Sequence, residues 1–159
     1  MKKIITLTIV AVLLFACKST SVTSTKLDKS SQVAIKGDWK ITSVTYPGSD
    51  YLAVNSFQVA DSKCLVGSTW SFISNNNKGS MNLTKAGCPA FSSAIVWSIN
   101  KDDTFVLKII DAGEKSKKVT EGYLLKFANL TETSFQLIDK INVGGQNKEV
   151  TYQFEKINK

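Results

Sequence analysis

From about residue 36 onward the chain alternates. Apolar side chains fall on every second position in short runs: Ile95, Trp97 and Ile99; Phe105, Leu107 and Ile109; Tyr123, Leu125 and Phe127; Phe135 and Leu137; Tyr152 and Phe154. A repeat of two places all members of a run on one face of a β-strand. Clusters of Gly, Asn, Asp and Ser separate the runs, as turns require. The pattern predicts eight strands, near 37–46, 67–74, 79–85, 93–100, 104–111, 118–128, 133–142 and 147–156. No stretch of ten or more residues holds a 3.6-residue period with caps; the one helical turn with any signal falls within 51–60.

Turn chemistry sets the register at the C-terminus. Gly144-Gly145 is a strong two-residue hairpin signal. A two-residue loop there places Val143 opposite Gln146, Asp139 opposite Val150, Leu137 opposite Tyr152 and Phe135 opposite Phe154. A slip of one residue would set the apolar positions against Lys and Glu. Across the turn at 129–132, Tyr123, Leu125 and Phe127 share the parity of Phe135 and Leu137. Ile95, Trp97 and Ile99 likewise match Phe105, Leu107 and Ile109 around Lys101-Asp102-Asp103. Around 74–78, Trp70 is expected opposite Leu83 and Phe72 opposite Met81.

Sequential hairpins with one apolar face must bury it. Eight of them can curl until the first strand meets the last, which removes both free edges. The expected fold is therefore all-β, an eight-stranded antiparallel up-and-down barrel; a two-sheet sandwich satisfies the same periodicity. The long connection at 47–65 would lie across one end. Trp70, Phe72, Trp97, Leu107, Tyr123, Leu125, Leu137, Asp139 and Tyr152 fall on the inner face. A barrel of this strand number is filled by side chains or holds one small molecule, so these residues either line a ligand site or pack the core. Asp139 and Glu121 share that face; they either orient a ligand or sit in water at the rim.

The N-terminus is of another kind. Met1, Lys2 and Lys3 precede an uncharged run, 4–15, that is too short to span a bilayer, for which roughly 20 apolar residues are needed. It reads as an export signal. The following Leu14-Phe15-Ala16-Cys17 resembles the bacterial lipobox, with Phe15 bulkier than usual at its position. That resemblance implies cleavage before Cys17, lipid on the cysteine and attachment to a membrane; Lys18 after it favours the outer membrane. The expected divisions are a signal peptide over 1–16, a lipidated Ser/Thr/Lys-rich tether over 17–33, and a barrel domain over 34–159. With Cys17 acylated, Cys64 and Cys88 remain to pair as a disulfide in an oxidising compartment. The expected strand register brings them within one residue of facing each other.

Composition excludes other readings. The formal charge is +7, about +5 without the signal, and comes from lysine alone; there is no arginine and no histidine. Without arginine's two-pronged donor a nucleic-acid partner is not expected. The cluster Lys115-Ser116-Lys117-Lys118 suits a solvated turn. Two thiolates without histidine make no tetrahedral metal site. No histidine, no Gly-x-Ser-x-Gly and no phosphate loop are present, so neither an enzyme nor a cofactor is expected.

Gly37-Asp38-Trp39, at the start of the first strand, resembles the lipocalin G-x-W motif, whose tryptophan closes the barrel base. Cys64 followed by Trp70-Ser71-Phe72 resembles the Cys…Trp-x-Phe segment of bacterial lipocalin-like lipoproteins. The resemblance spans roughly 34–158 and implies a membrane-anchored barrel binding a small hydrophobic or amphipathic molecule; a monomer is expected. A filled barrel that serves a structural or protein-interaction role fits the same residues. Animal lipocalins set an arginine from near the last strand over the motif tryptophan; this chain has none.

Overall fold

The structure, a computed structural model, describes residues 26–46, 53–110 and 122–157. Cys17, Glu121 and the 115–118 lysine cluster lie outside the described residues. The main strands are β1 (Gly37–Thr45), β4 (Thr69–Ile73), β5 (Lys78–Leu83), β6 (Phe91–Ile99), β7 (Thr104–Ile110), β8 (Tyr123–Ala128), β9 (Ser134–Val143) and β10 (Gln146–Lys156). Two short strands, β2 (Asn55–Ser56) and β3 (Ala60–Asp61), form a separate hairpin. The eight main strands close in the order β1-β10-β9-β8-β7-β6-β5-β4, every pair antiparallel. Since β1 bonds both β10 and β4, the first strand does meet the last, and the sandwich alternative is set aside.

The C-terminal register is the expected one. Val143 faces Gln146, Asp139 faces Val150, Leu137 faces Tyr152 and Phe135 faces Phe154. Gly144 and Gly145 both take positive φ, 60° and 82°, which the tight turn demands. Trp97 faces Leu107 and Ile99 faces Phe105. The β4–β5 pairing differs from expectation by two residues: Trp70 faces Met81, and Phe72 faces Gly79. The turn closes earlier because Asn77 adopts a left-handed φ of 56° and Lys78 N donates to Asn76 Oδ1 at 3.1 Å. A shift of two keeps every side chain on its face, so the inner face survives the correction. Gly79 tolerates this neighbourhood because it lacks a Cβ, which would sit 2.0 Å from the Ser71 carbonyl oxygen.

One end of the barrel, the base, carries the β4–β5, β6–β7 and β8–β9 turns. Here the tether expected over 17–33 is corrected at its C-terminal end. Lys29–Ala34 forms helix α1, with Asp28 as N-cap accepting from Ser30 N and Ser31 N. The Ser31 hydroxyl donates to the same carboxylate at 2.6 Å and, as the largest influence, holds Asp28 below the ordinary carboxyl range. Gln32 is buried and accepts from Asn77 Nδ2. The segment is moored to the β6–β7 turn by Asp28 N to Ile99 O and Lys101 N to Lys26 O, both 2.8 Å. Composition alone missed a helix whose stability comes from its cap and its docking.

Trp39 is fully buried and donates its Nε1–H to Ile35 O at 2.8 Å, tying the motif to the end of α1. Lys156 Nζ lies 5.6 Å from the Trp39 ring centroid. A lysine of the last strand thus holds the cationic place over the motif ring that the absent arginine left open. Above it the rings form one packed column. Phe135 meets Trp39 at 4.7 Å and Phe154 at 4.5 Å; Phe72 meets Trp97, Phe105, Phe135 and Phe154; Trp70 meets Phe72 and Phe154.

The helical turn expected within 51–60 falls instead at Ser62–Leu65, as a 3-10 helix. It carries Cys64, which is bonded to Cys88 in the β5–β6 loop with a Cα–Cα distance of 5.7 Å. The bridge closes a loop with a sequence separation of 24, for which chain entropy gives about 3 kcal/mol. The double variant Cys64→Ala/Cys88→Ala is expected to lose about that much stability. Urea unfolding, monitored by tryptophan fluorescence, checks the figure.

Candidate functional site

The opposite end, the mouth, is crossed by a short separate hairpin. The β2–β3 hairpin crosses it, turning through Ser56-Phe57-Gln58-Val59 with Val59 N bonded to Ser56 O at 3.0 Å. Phe57 and Gln58 both have left-handed φ, 54° and 56°. Tight hairpin turns of this kind ordinarily take Asn or Gly at those positions.

Phe57 points down into the barrel and is 5% exposed. Its ring contacts Tyr123 and Tyr152 at 5.2 Å each and Trp70 at 6.2 Å, continuing the column upward from the base. Two side-chain hydrogen bonds fix the hairpin: Ser56 Oγ with Tyr152 Oη at 2.6 Å, and Tyr123 Oη donating to Phe57 O at 2.7 Å. Burying such a ring stabilises by about 2–3 kcal/mol and each hydrogen bond by about 1. Against that, a left-handed non-glycine residue costs roughly 1–2 kcal/mol, and there are two. The ring and its bonds thus offset a local backbone cost, helped by the buried Val54 and Ala60 and the 2.7 Å bond from Ser62 N to Val54 O.

Two ionisable groups mark the mouth. Burial pushes the Tyr152 hydroxyl well above its ordinary range; the Ser56 bond opposes this, and the charge of Asp139 adds to it. Asp139 faces Val150, which is fully buried, and shares its face with Phe135 and Leu137. Its carboxyl is pushed up by desolvation, partly offset by the Lys140 backbone N–H. Ser62 Oγ, in the 3-10 turn after the hairpin, is buried without a hydrogen-bond partner among the described residues.

The inner-face residues named from the sequence do face inward. Trp70, Phe72, Trp97, Leu107, Leu125, Leu137 and Tyr152 are all at most 2% exposed, and Tyr123 and Asp139 are partly buried nearer the mouth. Trp70, Phe72, Trp97, Leu107, Leu125, Leu137 and Tyr152 belong to one continuous core, and Tyr123 packs against it. Of these, Trp70, Tyr123 and Tyr152 also border the Phe57 ring, and Asp139 acts electrostatically on Tyr152. Glu121, expected on the same face as Asp139, lies outside the described residues. Sequence reasoning missed Ser56 and Phe57, because strands of two residues are too short to carry a period and Phe-Gln is no turn signal.

Because Asp139's carboxyl is raised in the folded state, the folded protein binds a proton there more readily than the unfolded chain. Its contribution to stability therefore falls as pH rises from the unfolded value through the folded one. Asp139→Asn is expected to melt higher than the parent at pH 7, with the gap closing below the ordinary carboxyl pKa. Melting curves at pH 3 and pH 7 check this.

A family model for the lipocalin-like domain matches residues 35–137. Among solved structures, a lipocalin-like protein from Bacteroides uniformis is 14% identical over 78% of this chain and 99% of its own, with a TM-score of 0.44. A bovine odorant-binding protein in complex with a selenium-containing odorant is 13% identical, over 80% of this chain and 73% of its own, also at 0.44. No curated protein matches the chain in sequence. The matched span takes in more than half of the chain, including Gly37-Asp38-Trp39 and the mouth hairpin, and the strands within and beyond it close into one barrel: the chain belongs to the lipocalin-like domain family.

Proposed function

We propose that this protein is a membrane-anchored lipoprotein that binds a small hydrophobic or amphipathic molecule at the mouth of its barrel, the Phe57 plug giving way to the guest. The observation that carries this reading is the plug itself. A phenyl ring supplied by a nine-residue span, 53–61, already occupies an aromatic recess of Trp70, Tyr123 and Tyr152. It is retained by two side-chain bonds and by the burial of Val54 and Ala60 beside it, against two unfavourable backbone conformations. An apolar guest of similar size would satisfy the same walls without the backbone cost. Recesses lined by aromatic groups with a few polar atoms are the usual form of small-molecule sites. The lower barrel, from Trp39 to Phe72, is packed and serves as the floor.

A second reading, a filled barrel with a structural or protein-interaction role, draws on that same column of rings. The two part at Phe57. In the full chain carrying Cys17→Ser, Phe57→Ala is expected to bind the neutral fluorophore N-phenyl-1-naphthylamine at least tenfold more tightly than the parent, while losing about 3 kcal/mol of stability. Fluorescence titration and urea unfolding read the two effects. Failure of both forms to take up the fluorophore favours the filled barrel.

The anchor rests on Leu14-Phe15-Ala16-Cys17 and the Ser/Thr/Lys-rich stretch after it. We assign the outer membrane from Lys18. The parent is expected to incorporate labelled palmitate and sediment with membranes, and Cys17→Ser to do neither.

A further inference from the structure

Asp139 is an anomaly among its neighbours. It lies on the inward face of β9, between Leu137 and Ile141, and opposite a fully buried Val150. A half-buried carboxylate ordinarily answers to a cation, because desolvating a lone charge is costly. The chain has twenty lysines, yet among the described residues none stands within ion-pair distance of Asp139. Lys140 beside it turns outward to Glu149 at 3.8 Å. Lys148 shares the inward face, two positions from Val150, and still makes no ion pair with it.

The surroundings suit a positive charge with an apolar body. The Tyr152 ring, which feels the Asp139 charge, and the Tyr123 ring both flank Phe57 at 5.2 Å. The faces of such rings attract cations. The Tyr152 hydroxyl is spent on Ser56 of the hairpin, and lifting the hairpin breaks that bond. A primary ammonium carries three N–H donors. The Asp139 carboxylate and the Tyr152 phenolic oxygen are acceptors for them.

We propose that the guest at the mouth is an amphipathic primary amine, its ammonium against Asp139 and its apolar body in the place of the Phe57 ring; this rests on the ligand-binding reading above. A neutral guest would leave Asp139 desolvated with nothing gained. An anionic one would meet like charge.

The test uses the full chain with Cys17→Ser, its Phe57→Ala, Asp139→Asn and Lys140→Gln derivatives, and three probes of equal chain length at pH 7: octylamine, octanol and octanoate. Titration calorimetry is expected to rank octylamine at least tenfold tighter than octanol, with octanoate weakest. Asp139→Asn should bring octylamine and octanol together, and the outward-facing Lys140→Gln should retain the difference. Octanol or octanoate equal to octylamine, or a preference that survives Asp139→Asn, overturns the amine assignment and leaves ligand binding standing. If none of the three binds even the Phe57→Ala form, ligand binding falls as well.

Discussion

The interior of an eight-stranded barrel is a volume of fixed width, and every second residue of every strand is directed into it. Most of the architecture follows from how that volume is filled. Three tryptophans and several phenylalanines enter from different strands, and they fit only because they meet edge-to-face or offset: Trp39 on Phe135 at 73°, Phe72 on Trp97 at 75°, Phe135 on Phe154 at 9°. Room is made where it is needed. Gly79 stands opposite Phe72, where a Cβ would collide with the Ser71 carbonyl. The register of β4 on β5 and the bulk of the rings are one constraint seen from two sides.

The two ends of this cylinder are sealed by different means. At the base, a capped helix, a tryptophan bonded to the backbone of Ile35, and Lys156 over the indole all hold the same few residues. These interactions support one another, and the fully buried Ile35 and Trp39 leave nothing there to displace. At the mouth the seal is a two-rung hairpin that buries Val54, Phe57 and Ala60 and carries two left-handed residues in its turn. A turn that carries such a backbone cost is where local opening of the barrel is expected to begin.

What the sequence made legible follows the same division. The β9–β10 pairing could be read to the residue, because Gly-Gly admits one tight turn and a one-residue slip would turn Phe135 and Leu137 outward. Around 74–78 the turn residues were Ser and Asn, compatible with more than one loop length, so only the face and not the register was determined. The inward placement of Trp70, Trp97 and Tyr152 was readable from parity alone. Helix α1 was not, because a six-residue helix owes its existence to docking against Ile99 and Asn77 rather than to its own pattern. Nor was the Phe57 plug. Its conformation is imposed by tyrosines 66 and 96 positions away in sequence, and no local signal could announce them.

The Cys64–Cys88 bridge sets a limit on that plug. Cys64 is fastened to the β5–β6 loop, and it stands only seven positions after Phe57. Fully extended, seven residue steps reach about 24 Å. The ring is therefore on a short leash and can never diffuse away from the recess it leaves. Any molecule seated there contends with a rival at permanently high effective concentration, one that washing or dilution does not remove. Such a barrel would discount weak guests and hasten the exit of those it had accepted.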